Sequence, residues 1–292
     1  MSAQVFISTS CVAKSSNNLE SLLNDYLAAS LSCIELGLAP PAKSQDLVAY
    51  LERCGGKFLI HNYFPTPPDP FVLNLASQDK TLLERSLNLC KKAINLCGTL
   101  GTPYYSVHAG YRGNISPESL GGKIKYARVV SYERAYQAFV DSLRTLVAYA
   151  ENRNVSILIE PNVLPAFNLR NGRNEIALIC EDWEVINLVR DVNAPGIGIL
   201  LDTGHLNITA HTLGFDRETF LDRVAPYVKA VHLHDNDSKE DSHEPVEQGS
   251  WVLNVIRRPE FKHLPVVVEA TFATVKDLRR HVDWLKEQLE RH

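Results

Sequence analysis

Six short apolar runs in this chain end in residues that can bind a metal or move a proton. They read Ile60-His61, Val107-His108, Ile159-Glu160, Leu201-Asp202, Val231-His232 and Val268-Glu269. Two continue in kind, as Asp202-Thr203-Gly204-His205 and His232-Leu233-His234-Asp235, and Asp241-Ser242-His243 follows. One such histidine alone is commonly just a hydrogen-bonded polar residue. A whole set is different, because carboxylates crowd together out of water only where a cation offsets their charge. A divalent metal does this and also uses the imidazole lone pairs. Imidazole with carboxylate suits Mn or Zn, and Fe or Co as well; the lack of thiolates disfavours a structural cysteine-type zinc site. His211, His263, His281 and His292 fall in loops or on helical faces and carry no such expectation. His234 stays open between the two faces of its strand. Asp235 and Asp237 are either partners that orient imidazoles or plain turn residues.

For these residues to meet, the elements that carry them must converge. Strand-like runs cover residues 4–8, 32–36, 58–63, 104–108, 155–160, 198–202, 230–234 and 266–269. They are continuously apolar, not alternating, as in parallel strands covered on both faces. Helical periodicity covers residues 19–29, 45–54, 79–100, 132–151, 182–190, 218–225, 251–256 and 275–289. Eight βα units in strict order predict a single (β/α)8 TIM barrel over residues 1–292. A doubly wound sheet would show a Gly-rich turn after its first strand, and Ser8-Thr9-Ser10-Cys11-Val12 is not one. The long non-periodic stretches 62–77, 109–130, 161–179 and 235–250 all follow strands. On a barrel they would crowd the C-terminal face, where such folds place their chemistry.

Composition narrows the class further. The 292 residues are 45% hydrophobic and 22% charged, an ordinary balance for a globular protein with a full core. A net charge of −4 disfavours a broad grip on nucleic acid without excluding it. No apolar run approaches the roughly 18–20 residues of a membrane span. The start of the chain lacks a basic region followed by an apolar one, so a cytoplasmic protein is expected. The six cysteines are scattered without a CxxC pair and read as reduced core residues. Tyr104, Tyr105, Trp251 and Trp284 suit either a core or an interface, which leaves a homo-oligomer open.

These motifs resemble the xylose-isomerase-like TIM-barrel superfamily, which contains sugar isomerases, epimerases and endonuclease IV. The similarity covers nearly the whole chain. It rests on Asp202-Thr-Gly-His205, His232-x-x-Asp235-Asn236 and the two isolated glutamates Glu160 and Glu269. The resemblance to the epimerases implies one metal held by Glu160, Asp202, His232 and Glu269, with His205 contacting substrate. The resemblance to endonuclease IV implies a three-zinc cluster held by His61, His108, Glu160, Asp202, His205, His232, Asp241, His243 and Glu269. Asn74-Leu-Ala-Ser77 and Glu84-Arg85-Ser86 also look like that branch. Two departures stand out. A Pro-rich piece, Pro65-Thr-Pro-Pro-Asp-Pro70, is inserted after His61, and the segment after the seventh strand reads His234-Asp235-Asn236-Asp237-Ser238-Lys239.

Two mechanisms follow. The preferred one is a metal-dependent isomerase or epimerase acting on a sugar, sugar phosphate or related polyol through an enediolate. Glu160 and Glu269 would exchange the proton and His205 would donate to an oxygen. Arg112, or Arg128, Arg170 and Arg173, could clamp a phosphate or carboxylate, and Lys239 is the basic residue nearest the seventh strand. The alternative is a multinuclear zinc phosphoester hydrolase of endonuclease IV type. It gives work to His61, His108, Asp241 and His243, which one metal leaves idle. The basic stretch Lys123-Ile-Lys125-Tyr-Ala-Arg128 could then be a lid over a phosphorylated small molecule, or merely an exposed approach to the next helix. A barrel used only for binding would lack a complete ligand set.

Overall fold

Eight parallel strands close on themselves in chain order. They are β1 Val5–Ser8, β2 Cys33–Leu36, β3 Lys57–His61, β4 Tyr104–His108, β5 Ser156–Glu160, β6 Ile197–Asp202, β7 Val228–Leu233 and β8 Val266–Val268. The computed structural model describes residues 4–12, 16–125 and 128–290. Met1, Ser2 and Ala3, Tyr126 and Ala127 of the basic stretch, and His292 therefore lie outside the described residues. Helices α1 Leu19–Ala28, α2 Leu47–Arg53, α3 Lys80–Leu100, α4 Tyr132–Glu151 and α5 Asp182–Val192 follow the first five strands. After them come α6 Thr203–Leu213, α7 Arg217–Val224, α8 Trp251–Ile256 and α9 Val275–Glu290. Among the described residues no helix is long and apolar enough to cross a membrane.

The extra helix is α6, where one helix per strand was expected. It starts directly after β6, with the Asp202 carboxylate accepting from the His205 amide at 2.7 Å as its N-cap. Thr203 to Ala210 are buried without interruption. A helix buried on every side shows no amphipathic period, so the sequence pattern does not display it.

The barrel interior follows from strand geometry. Phe6, Leu59, Tyr104, Leu158, Leu200, Ala230 and Val267 form a core cluster of their own, joined by Cys33, one residue from each strand. Side chains return to the same face every two residues. Two positions further along each strand direction stand Ser8, Glu35, His61, Ser106, Glu160, Asp202, His232 and Glu269. The barrel thus changes within one step from an apolar plug to a polar tier. Seven of those eight residues are buried, and Glu269 is nearly so. The sheet register sets His108 beside Glu160, Asp202 beside His232 and His61 beside Ser106. Tyr104 and Tyr105 are core residues, while Trp251 and Trp284 pack partly buried against the outer core.

Candidate metal centre

The polar tier, extended by the helix and loops above it, gathers every histidine and carboxylate that the sequence marked as a ligand. Glu160 lies at the middle. Its Oε2 is 3.4 Å from His61 Nε2 and 3.6 Å from His108 Nε2; its Oε1 is 3.1 Å from His205 Nδ1 and 3.9 Å from His232 Nδ1. His232 Nδ1 also lies 2.8 Å from Glu269 Oε2 and 3.7 Å from Asp202 Oδ2. Asp241 Oδ2 is 3.4 Å from both His205 Nε2 and His243 Nε2.

Three of the rings are anchored from behind. His61 Nδ1 is 3.0 Å from the Ser106 hydroxyl, His243 Nδ1 is 2.9 Å from the Glu269 carbonyl, and His232 Nε2 is 3.2 Å from Glu35 Oε2. A ring that donates from one nitrogen presents a lone pair at the other. In each case that other nitrogen faces the carboxylates.

Sequence reasoning missed Glu35. It sits inside an apolar run, Cys33-Ile34-Glu35-Leu36, and not at its end, so it did not read as a strand-terminal ligand. The signal available was a charged residue two positions beyond the plug, in phase with His61 and Glu160. His234 is also decided. It lies two residues beyond His232, so it shares that residue's face. Its Nε2 is 3.0 Å from Asp202 Oδ1, and its ring stacks on His243 at 4.2 Å between centroids.

Gly204 explains part of the Asp-Thr-Gly-His motif. A Cβ there would come within 1.9 Å of the His234 ring. Thr203 completes the arrangement, with its hydroxyl 3.1 Å from the His232 carbonyl and 2.9 Å from that of His234. Asp202 thus caps α6, Thr203 ties the backbone of His232 and His234, and Gly204 makes room for the His234 ring.

Two basic residues singled out by the sequence stand elsewhere. Arg112 donates to the carbonyls of Val130 and Asn174 and, with Arg128 and Arg134, lines a separate cavity of about 510 Å³. Lys239 is exposed, and its backbone amide donates to Asp237. Neither borders the cavity of about 700 Å³ above the cluster, nor do Arg170 and Arg173.

The electrostatics suit cations. Burial, the dominant cause, lifts Glu160 well above the usual carboxylate range. Burial, with His205 beside it, pushes His108 down to about 4. His243 goes the other way: burial pulls it down, but the Asp241 carboxylate outweighs this and raises it to about 9. Both oxygens of Glu160, His232 Nδ1, His234 Nδ1 and Asp241 Oδ1 are buried without a hydrogen bond. His232 Nδ1 is thus close to Glu269 yet misaligned with it. Lone pairs and carboxylates aimed at common points repel unless a proton or a metal lies between them. The residues fit divalent ions, and they form overlapping donor groups: His61, His108 and Glu160; Glu160, Asp202, His232 and Glu269; His234, Asp241 and His243. Two further groups are Asp202, His205 and His234, and Glu35, His61 and His232.

The structure is a parallel (β/α)8 barrel with imidazoles and carboxylates, in groups that could hold divalent ions, gathered at the C-terminal ends of its strands. The chain matches the xylose isomerase-like TIM barrel family over residues 27–288 and belongs to that family. The probable endonuclease 4 of Mesomycoplasma hyopneumoniae (strain 7448) is 23% identical over 237 residues, which is 75% of each chain. A D-tagatose 3-epimerase-like protein shares the fold, with a TM-score of 0.73 at 18% identity over 98% of this chain and 97% of that one. So does a protein of Thermus thermophilus whose crystal was soaked with zinc chloride, at a TM-score of 0.63 and 20% identity, covering 100% and 99%.

Proposed function

We propose that the protein is a divalent-metal-dependent phosphoester hydrolase with a multinuclear centre. One observation carries this. Glu160 presents its two oxygens to different sets of histidines, His61 and His108 on one side, His205 and His232 on the other. A carboxylate shared in this way suits two ions side by side, and His234, Asp241 and His243 suit another. The sequence alone favoured an isomerase; the additional donor groups reverse that order, because a one-metal isomerase leaves them without a task. The endonuclease names of the sequence relatives support the same direction.

Bound ions would polarise a phosphoryl oxygen, lower the pKa of water and stabilise the leaving oxygen. The chain supplies the rest. His61, His108, Glu160, Asp202, His232, Glu269, His205, Asp241 and His243 hold the ions, with His234 added to them and Zn or Mn the suited metals. Glu35 and Ser106 fix the tautomers of His232 and His61. Glu269 borders the cavity and can accept a proton from the incoming water, while Glu160 is held deeper.

A second reading remains, favoured by the group Glu160, Asp202, His232 and Glu269, which is complete for one ion. It is the sugar isomerase or epimerase, with Glu160 and Glu269 exchanging a proton with carbon. The test runs both assays on protein loaded with Zn or Mn: release of nitrophenolate from bis(p-nitrophenyl) phosphate, and solvent deuterium entering D-fructose and D-tagatose. Ester hydrolysis without exchange is expected. Exchange without hydrolysis overturns the proposal.

A further inference from the structure

The cavity above the donor groups has two unlike surfaces. Its floor is His61, His108, His205, Asp241, His243 and Glu269. Its walls are largely apolar, from Leu38 after β2, Tyr63, Phe71 and Val72 after β3, Leu120 and Ile124 after β4, and Leu164 and Phe167 after β5. None of the described residues lining it is a lysine or an arginine, and Glu240 adds a further negative charge. Among the described residues five large apolar side chains are conspicuously exposed, and Leu38, Leu120 and Phe167 are three of them. Isolated exposed leucines mean little. Three on the rim of one cavity, over a charged floor, form a surface shaped for an apolar group.

This combination restricts the substrate. A polynucleotide brings a phosphate at every step and needs cations along its path. Among the described lining residues, positive charge can exist only at the floor, where ions would bind. Resting on the hydrolase reading above, we propose that the substrate is a small ester with one phosphate group and an apolar alkyl or aryl substituent. The phosphate sits on the floor and the substituent lies against Leu120, Phe167 and Phe71. In the reaction, water's oxygen bonds to phosphorus, the P–O bond to the organic group breaks, and the leaving oxygen takes one of water's protons. The volume, about 700 Å³, holds a ligand of this size.

The test separates binding from turnover. Calorimetry on the Zn-loaded protein compares hexylphosphonate with methylphosphonate, and kinetics compare hexyl with methyl p-nitrophenyl phosphate. The expected result is tighter binding and higher kcat/KM for the hexyl compounds, on the order of tenfold or more. In Phe167→Ser and Leu120→Ser, at exposed positions where folding is insensitive, the hexyl-to-methyl ratio should fall at least roughly threefold. Hexyl preference in binding without any ester turnover supports the ligand class and overturns the hydrolase reading instead. Equal binding of the two phosphonates, or a ratio unchanged in both variants, overturns the proposal. So does an abasic DNA duplex cleaved in preference to the hexyl ester.

Discussion

Oε2 of Glu160 lies 3.4 Å from Nε2 of His61, in a barrel interior where neither Glu160 oxygen accepts a hydrogen bond. An ionised carboxylate in that position is costly without a cation. In Glu160→Gln the side chain keeps its shape but loses its charge and one acceptor. It should lose more than one metal per chain, because two donor groups share it. Activity should fall by several kcal/mol of transition-state stabilisation, or roughly 1,000-fold. Plasma mass spectrometry and steady-state kinetics on the purified variant check both. A variant with full metal content and near-normal rate contradicts the shared role.

Glu35 lies behind His232, hydrogen-bonded to its Nε2, and acts as a positioning residue. Glu35→Gln should leave the fold intact and weaken metal binding by roughly 10–100-fold, the usual cost of removing a partner behind a metal-binding imidazole. Competition with a fluorescent chelator measures the change. An unaltered affinity means the contact only satisfies burial.

Gly204 is needed for space and not for backbone freedom. In Gly204→Ala the new methyl meets the His234 ring at 1.9 Å, so that ring must move. Overpacking of this kind costs about 1–3 kcal/mol. The variant should be less stable in urea and should also lose metal from the part of the site that His234, Asp241 and His243 share. Lowered stability with unchanged metal content would separate His234 from the centre.

His281 lies outside the site, between the rings of Phe272 and Trp284. Burial pushes it down to about 4 from an ordinary value of 6.5. The unfolded chain therefore binds this proton at higher pH than the folded one does. The stabilisation is complete above about 6.5 and is lost as pH falls towards about 4. Allowing for the partial exposure of the ring, the loss is about 2 kcal/mol. Urea denaturation of wild type and His281→Gln between pH 7.5 and 4.5 isolates the effect: the wild type's relative stability should decline across that range. Parallel curves would mean that the ring is not held neutral.

Much of this was legible in the chain. The barrel was readable because its strands are continuous apolar runs that stop abruptly at His, Glu or Asp. The gathering of His61, His108, Glu160, Asp202, His232 and Glu269 follows from that, since a closed parallel sheet brings its strand ends together. Other features were not local. Glu35 was hidden by its position within a run, and α6 by burial on all sides. His234 required strict use of the two-residue period from His232. Arg112 was placed in the right kind of loop, but a loop's sequence does not fix where its side chain points, and here it ties down neighbouring carbonyls.

The number of ions per chain bears most directly on the shared role of Glu160. Protein purified without chelator, then supplied with Zn or Mn and freed of excess, should carry two or three ions per chain by plasma mass spectrometry. His61→Ala combined with His108→Ala should remove one, and Asp241→Ala combined with His243→Ala should remove one independently. A single ion per chain, kept in both double variants, would contradict the multinuclear centre and return the site to one-metal isomerase chemistry.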